Sequence, residues 1–104
     1  MTSVVVYVPD LIDRSKLAAA LPGATFLQGP EALLDQAAGA DLVVVDLGRP
    51  GVSDALPALV ATGARVVGFA AHVDRNTLEE ASAAGCQAMP RSQFFRSLGD
   101  LTAG

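Results

Sequence analysis

Short blocks of consecutive apolar, mostly β-branched residues recur along the chain and restrict the folds it can adopt. Residues 3–8 read SVVVYV, residues 42–46 read LVVVD, and residues 65–71 read RVVGFAA. Shorter blocks cover residues 25–27 and 87–89. Because these blocks lack polar alternation, they indicate strands buried on both faces, as in a parallel sheet that is covered by helices on both sides.

Segments typical of helices separate the apolar blocks. They cover residues 10–21, 30–38, 53–62, 74–84 and 92–102. We expect Asp74 to cap the fourth helix. We expect Ser53 or Asp54 to cap the third, so that Pro57 lies within its first turn, where proline is tolerated.

The resulting order is a strand followed by a helix, repeated five times. Strands spaced in this way fit right-handed βαβ crossovers, and five units are too few for an eight-stranded barrel. The sequence therefore predicts one domain over residues 1–104. Its expected fold is a three-layer, doubly wound (βα)5 sandwich of the flavodoxin type, with the parallel strand order 2-1-3-4-5.

Composition excludes several classes of protein. Hydrophobic residues make up 51% of the chain and charged residues 17%, with a net charge of −4, so we expect a folded domain. The absence of clustered Lys and Arg argues against nucleic-acid binding, and no apolar run reaches about 18 residues, which argues against a membrane span. With no visible secretory signal and only one cysteine, Cys86, we expect a cytoplasmic location.

The carboxyl ends of the predicted strands define the candidate site, because ligands bind there in open parallel sheets. Asp10 and Asp13 follow the first strand, Asp46 ends the third, and Arg91 follows the fifth. Asp46 comes directly after four apolar residues, so its carboxylate needs a cation or a hydrogen-bond donor. One interpretation is that it bonds only to the backbone of the turn that follows.

The residues around Asp46 also resemble a known family. Residues 41–54 (DLVVVDLGRPGVSD) look like the central motif of response-regulator receiver domains, in which a strand-three aspartate accepts a phosphoryl group. Asp46, Pro50 and Gly51 match the spacing of that aspartate and the Pro-Gly pair after it. Residues 66–72 (VVGFAAH) resemble the family's fourth strand. The resemblance implies a CheY-like fold over the whole chain.

The family's chemistry requires further residues, from which this sequence departs. In receiver domains an acidic pair after strand one helps to hold a divalent ion, while a strand-four hydroxyl and a strand-five lysine contact the phosphoryl group. Here the acidic pair is replaced by Val8 and Pro9, with Asp10 one place late. Ala70 stands at the hydroxyl position, and Arg91 is the cation nearest to the missing lysine. The resemblance therefore implies a degenerate receiver, or pseudo-receiver.

This interpretation makes the chain a non-catalytic signalling or protein-interaction module without a cofactor. Its phosphoacceptor-like pocket consists of Asp46, Asp10, Ala70 and Arg91, and we expect Asp46 and Arg91 to form a direct ion pair where metal and lysine would lie. Two alternatives remain open. The first is a functional phosphoacceptor at Asp46, in which Asp10 or Asp13 holds Mg²⁺. The second is a small-molecule sensor that uses the same pocket.

Two adjacent aromatic residues, Phe94 and Phe95, suggest a partner face on the last helix. Phe94, Leu98 and Leu101 have the spacing of one helical stripe and are expected to face the core. Either both phenylalanines belong to the core, or one of them forms a docking surface rimmed by Arg96. Receiver-like domains use the face between strand four and helix five for partners and dimers, so the resemblance implies a protein partner or self-association there.

No catalytic motif accompanies these features. The chain has no Gly-rich nucleotide-binding motif and no serine nucleophile elbow. Cys86 is expected to be a small buried hydrophobic residue, and the single His72 a loop residue without partners for zinc. The sequence therefore predicts no enzyme activity.

Overall fold

The structure, a computed structural model, describes residues 3–101 and has the predicted flavodoxin/CheY-like architecture. Five parallel strands form one sheet in the order β2-β1-β3-β4-β5. The strands are β1 (Val4–Tyr7), β2 (Thr25–Phe26), β3 (Leu42–Asp46), β4 (Arg65–Ala70) and β5 (Gln87–Pro90). The helices are α1 (Leu11–Ala20), α2 (Leu33–Ala37), α3 (Val52–Ala61), α4 (Arg75–Ala83) and α5 (Arg91–Arg96).

The sheet separates two apolar cores. Successive side chains of a strand point to opposite faces, so Val43 and Val45 join one core while Leu42 and Val44 join the other. The first core packs against α2, α3 and α4, and the second against α1 and α5. Residues 43–45 are completely buried, which explains why the sequence shows solid apolar blocks rather than alternation.

The start of α3 differs from the prediction. Gly51 precedes the helix in the left-handed conformation (φ 85°), so the helix begins at Val52 without a side-chain cap from Ser53 or Asp54. The earlier start places Pro57 inside the helix rather than in its first turn. Pro57 has no N–H to donate to the carbonyl of Ser53, and both residues lie on the exposed side of the helix.

The other helices follow the prediction more closely. Asp10 caps α1 with its side chain. Asp74 occupies the predicted N-cap position of α4, but its carboxylate accepts a hydrogen bond from the Thr77 hydroxyl and none from the backbone N–H groups of the helix. The segment predicted as the second helix opens with a short 3-10 turn at Pro30–Ala32 before α2. The last helix is shorter than residues 92–102 because a 3-10 turn at Leu98–Asp100 follows α5; residue 102 lies outside the described residues. None of the helices described between residues 3 and 101 is long and apolar enough to cross a membrane.

Candidate functional site

The carboxylate after β1 caps the helix that follows it. Asp10 Oδ1 accepts hydrogen bonds from the backbone N–H groups of Ile12 and Asp13, both at 3.0 Å. The bond from Asp13 is the main reason why the pKa of Asp10 lies below its ordinary value. The N-terminal donors of α1, which bind anions in many α/β proteins, are thus engaged by the chain's own side chain.

The second carboxylate on α1 is buried and paired. Asp13 lies four residues before Leu17 and eight before Leu21, so it belongs to the stripe of α1 that faces the sheet, and it is 1% exposed. Both of its carboxylate oxygens accept hydrogen bonds from Arg91, one from Nη1 and one from Nη2. This bidentate pair connects α1 to the first residue of α5.

Aromatic rings hold the guanidinium of Arg91 in place. Its central carbon lies 4.9 Å from the ring centroid of Phe95 and 5.7 Å from that of Phe69. The hydrogen bonds to Asp13 are the main reason why the pKa of Arg91 is raised, with smaller contributions from the charges of Asp10 and Asp46. Arg91 therefore keeps its charge and its orientation, although 45% of its side chain is exposed.

Asp46 has a different cation from the one expected. Its Oδ1 accepts the N–H of Gly48 at 3.0 Å, and its Oδ2 accepts Nε–H of Arg49 at 3.2 Å. The carboxylate thus bonds to the turn that follows β3, and the expected ion pair with Arg91 is not formed. The physical reason is proximity: Arg49, three residues along the same turn, reaches Asp46, while Asp13 engages Arg91.

The tips of β1, β3 and β5 nevertheless share one electrostatic environment. The positive charges of Arg91 and Arg49 contribute to the lowered pKa of Asp10, and the negative charges of Asp10 and Asp46 contribute to the raised pKa of Arg91. Three members of the predicted pocket, Asp10, Asp46 and Arg91, thus influence one another through their charges, whereas each of them forms its side-chain hydrogen bonds with other residues.

The fourth predicted member, Ala70, lies in the apolar core on the side of α2–α4. Val8, one of the two residues that replace the family's acidic pair, is 1% exposed in the core on the side of α1 and α5. Within residues 3–101, no three His, Cys, Asp or Glu side chains are grouped to hold a metal ion. The residues present do not fit the divalent ion that the resemblance implies, since Mg²⁺ needs several well-placed oxygen ligands.

The turn after Asp46 is anchored by packing as well as by hydrogen bonds. The N–H of Leu47 donates to the carbonyl of Phe69 at 2.9 Å. The Leu47 side chain lies directly over Gly68, where an added Cβ would come within 2.7 Å of it. Gly51, the second residue of the Pro-Gly pair, ends the turn against Pro30. Gly51 therefore shapes the entry to α3, and Pro50 lies exposed in the turn before it.

The predicted partner face contains one core residue. Phe94 is completely buried and stacks on Phe69, with ring centroids 4.7 Å apart. Phe95 is half-buried and meets both rings edge-on, and Arg96 is exposed. Phe94 is therefore not on a docking surface, and only Phe95 and Arg96 remain accessible to a partner.

Cys86 and His72 have the environments expected from the sequence. Cys86 is 4% exposed, and burial raises the pKa of its thiol to about 11, so little thiolate forms near neutral pH. His72 lies in the exposed turn after β4.

Two interactions of the site escaped prediction although the sequence contains a signal for each. Asp13, Leu17 and Leu21 are spaced by four residues, which places a carboxylate on an inward-facing stripe that requires a partner. Asp46 and Arg49 are separated by three residues within one turn, which makes them neighbours. The spacing around Asp13 does not identify its partner, because Arg91 is distant in the sequence and reaches Asp13 only through the packing of α5 beside α1.

The fold and the site together define a doubly wound α/β domain. At the carboxyl ends of its strands, the carboxylates accept hydrogen bonds from donors of the same chain. No model of a known protein family matches the chain, and no curated protein matches its sequence.

Proposed function

We propose that this chain is a non-catalytic signalling or protein-interaction module with a pseudo-receiver fold, in which Asp46 is not phosphorylated in the Mg²⁺-dependent way. One observation carries the proposal: each carboxylate at the shared strand tips already has a donor from the chain. Asp10 accepts the N-terminal N–H groups of α1, and Asp13 accepts Arg91. Asp46 accepts Gly48 and Arg49.

Phosphoryl transfer to an aspartate needs a free carboxylate oxygen and a cation that offsets charge on the phosphoryl oxygens. Both oxygens of Asp46 accept a hydrogen bond, Arg49 is bound to Asp46 itself, and Arg91 is bound to Asp13. Ala70 provides no hydroxyl to contact a phosphoryl group, and Val8 provides no metal ligand. These features support a role that depends on the surface of the domain rather than on a reaction at the carboxyl ends of its strands.

The same proposal includes the cellular location and the binding partners of the protein. A single cysteine, buried and unable to form an internal disulfide, fits a reducing compartment, so we propose a cytoplasmic location. A protein partner or a second copy of the chain fits a domain whose helices carry exposed Leu11, Ile12 and Leu34. No cofactor is part of the proposal.

Amide NMR tests the proposal with beryllofluoride, which imitates a phosphoryl group on aspartate, added together with Mg²⁺. We expect no shifts centred on Asp46, and spectra of the wild type and Asp46→Asn that respond alike. Shifts that centre on Asp46, Ala70 and Arg91 and vanish in Asp46→Asn would instead establish a phosphoacceptor. Arg49→Ala is the more stringent variant, because it removes the hydrogen bond to Oδ2 of Asp46 and leaves that oxygen free to react.

A further inference from the structure

Charge is divided between the two helix layers. Helices α1 and α5 carry four basic side chains, namely Arg14, Lys16, Arg91 and Arg96. The one acidic residue within these two helices is Asp13, which is buried and paired with Arg91. The surface that the two helices present to solvent, here called the basic layer, is therefore positive in a chain whose net charge is −4.

The opposite layer has the opposite sign. Helices α2, α3 and α4 carry four acidic residues, Asp35, Asp54, Glu79 and Glu80, all of them exposed. Their one basic residue is Arg75. Glu31, in the 3-10 turn before α2, adds a further exposed carboxylate to this acidic layer.

Each layer also exposes apolar side chains among its charges. On the basic layer these are Leu11 and Ile12, which are 76% and 69% exposed at the start of α1. On the acidic layer it is Leu34 of α2, which is 47% exposed. Two exposed carboxylates adjoin the basic layer, Asp10 at the N-cap of α1 and Asp100 in the 3-10 turn that packs against α1 and α5, so four basic side chains stand against three acidic ones when buried Asp13 is included.

We propose that the chain binds a second copy of itself, with the basic layer of one molecule against the acidic layer of the next. This inference rests on the proposed interaction role and names the partner. Both surfaces of the contact are present on one molecule, so no other protein is needed to supply charge complementarity. The contact joins two different surfaces, so each complex leaves one layer of each sign free and assembly continues to an open chain or a ring.

Sedimentation velocity of the full chain over a range of protein concentrations tests self-association. At about 10 mM salt, where charges act over about 30 Å, we expect the mean mass to rise with concentration beyond that of a dimer. At about 1 M salt, where that range falls to about 3 Å, we expect monomer. A protein that stays monomeric at low salt at every concentration overturns the proposal.

Charge reversals identify the two surfaces. Lys16→Glu and Arg75→Glu change the net charge by the same amount, but only Lys16 lies on the basic layer. We expect Lys16→Glu to lose association at low salt and Arg75→Glu to retain it. Equal effects of the two variants would overturn the assignment of the surfaces.

Mixing two reversed proteins gives the most specific result. The variant Lys16→Glu/Arg96→Glu has two acidic layers, and Asp54→Lys/Glu79→Lys/Glu80→Lys has two basic ones, so each is expected to be monomeric alone. Their mixture is expected to assemble, because every acidic layer then meets a basic one. A mixture that remains monomeric contradicts the proposal.

The NMR experiment with beryllofluoride separates this inference from the proposed function. A monomeric protein without a response to beryllofluoride would overturn self-association and leave the non-catalytic role in place. A protein that assembles and also responds at Asp46 would overturn the non-catalytic role and leave self-association in place.

Discussion

Asp13 and Asp46 lie at the same edge of the sheet, and each is paired with an arginine, but the two pairs differ in range and burial. The partner of Asp13 is 78 residues away, and the partner of Asp46 is three residues away. The side chain of Asp13 is 1% exposed and that of Asp46 is 16% exposed. The first pair therefore connects two helices across the fold, whereas the second shapes a single turn.

The difference predicts unequal contributions to stability. A buried carboxylate that loses its only cation keeps the cost of dehydration, whereas a partly exposed one regains water. In a pair between neighbours on one turn, the backbone of the turn already restricts most of the motion that the ion pair would restrict. We therefore expect the Asp13–Arg91 pair to contribute to the stability of the whole domain, and the Asp46–Arg49 pair to contribute locally.

The largest effect is expected for Arg91→Ala. This substitution leaves Asp13 buried without a cation and should lower the free energy of unfolding by about 2–3 kcal/mol, below the full cost of breaking a buried pair because Arg91 is half-exposed. Urea denaturation measures the change. Arg96→Ala, on the exposed side of the same helix, is the matched control and should change stability by less than about 0.5 kcal/mol.

A double variant then isolates the pair itself. Adding Asp13→Asn to Arg91→Ala removes the unpaired charge, so the double variant should be more stable than Arg91→Ala alone. If the two substitutions simply add, Asp13 and Arg91 do not interact, and the contrast with Asp46 disappears.

The second-largest loss of stability is expected where the Leu47 side chain packs over Gly68 and anchors the turn after Asp46. Gly68→Ala places a Cβ within 2.7 Å of the Leu47 side chain and should cost about 1–3 kcal/mol through overpacking. Gly23→Ala is the control, because an added Cβ there has no neighbour within 4 Å. A Gly68→Ala protein as stable as the wild type would show that the Leu47 side chain can move aside and does not anchor the turn.

A smaller effect is expected for Asp46→Asn. The amide oxygen can still accept the N–H of Gly48, so the main loss is the charge opposite Arg49. We expect a loss of about 0.5–1 kcal/mol, as for other partly exposed ion pairs. A loss as large as that of Arg91→Ala would contradict the view that this pair acts locally.

The smallest effect concerns the pH dependence of Asp10, the carboxylate that neighbours both pairs. Its pKa is lowered below the ordinary value of 3.8, mainly by the N–H of Asp13, so its ionised form favours the folded state. That contribution is complete above about pH 4 and is lost as pH falls through the lowered pKa. Asp10→Ser keeps a cap without the charge and should flatten the fall of stability in acid; an unchanged slope would exclude this contribution.

The fold was predictable because its signals are local. Solid blocks such as residues 42–46 exist only because both faces of the sheet are covered, and the prediction of β3 matches the observed strand residue for residue. The start of α3 was not predictable in the same way. Gly51 adopts a left-handed conformation that replaces a side-chain cap, and the residue type permits this conformation without requiring it.

The candidate site was predictable only in part for a related reason. The topology places the strand tips at one end of the sheet, and the charges of Asp10 and Asp46 act on Arg91 there, but the hydrogen-bond partners differ from those expected. Which carboxylate binds which arginine depends on side-chain reach and on the position of α5 relative to α1. The phenylalanines that hold Arg91 come from β4 and α5, and no spacing along the chain shows that their rings meet.

The separation between Asp13 and Arg91 also affects how the chain folds during synthesis. At about 5–20 residues per second, the ribosome makes Arg91 roughly 4–16 s after Asp13. During that interval α1 has a carboxylate on its inward face and no cation to meet it, so docking of α1 onto β1 and β3 is disfavoured. We therefore expect the early part of the nascent chain to dock more slowly until α5 is made, which lengthens the interval in which a chaperone that shields apolar segments can bind.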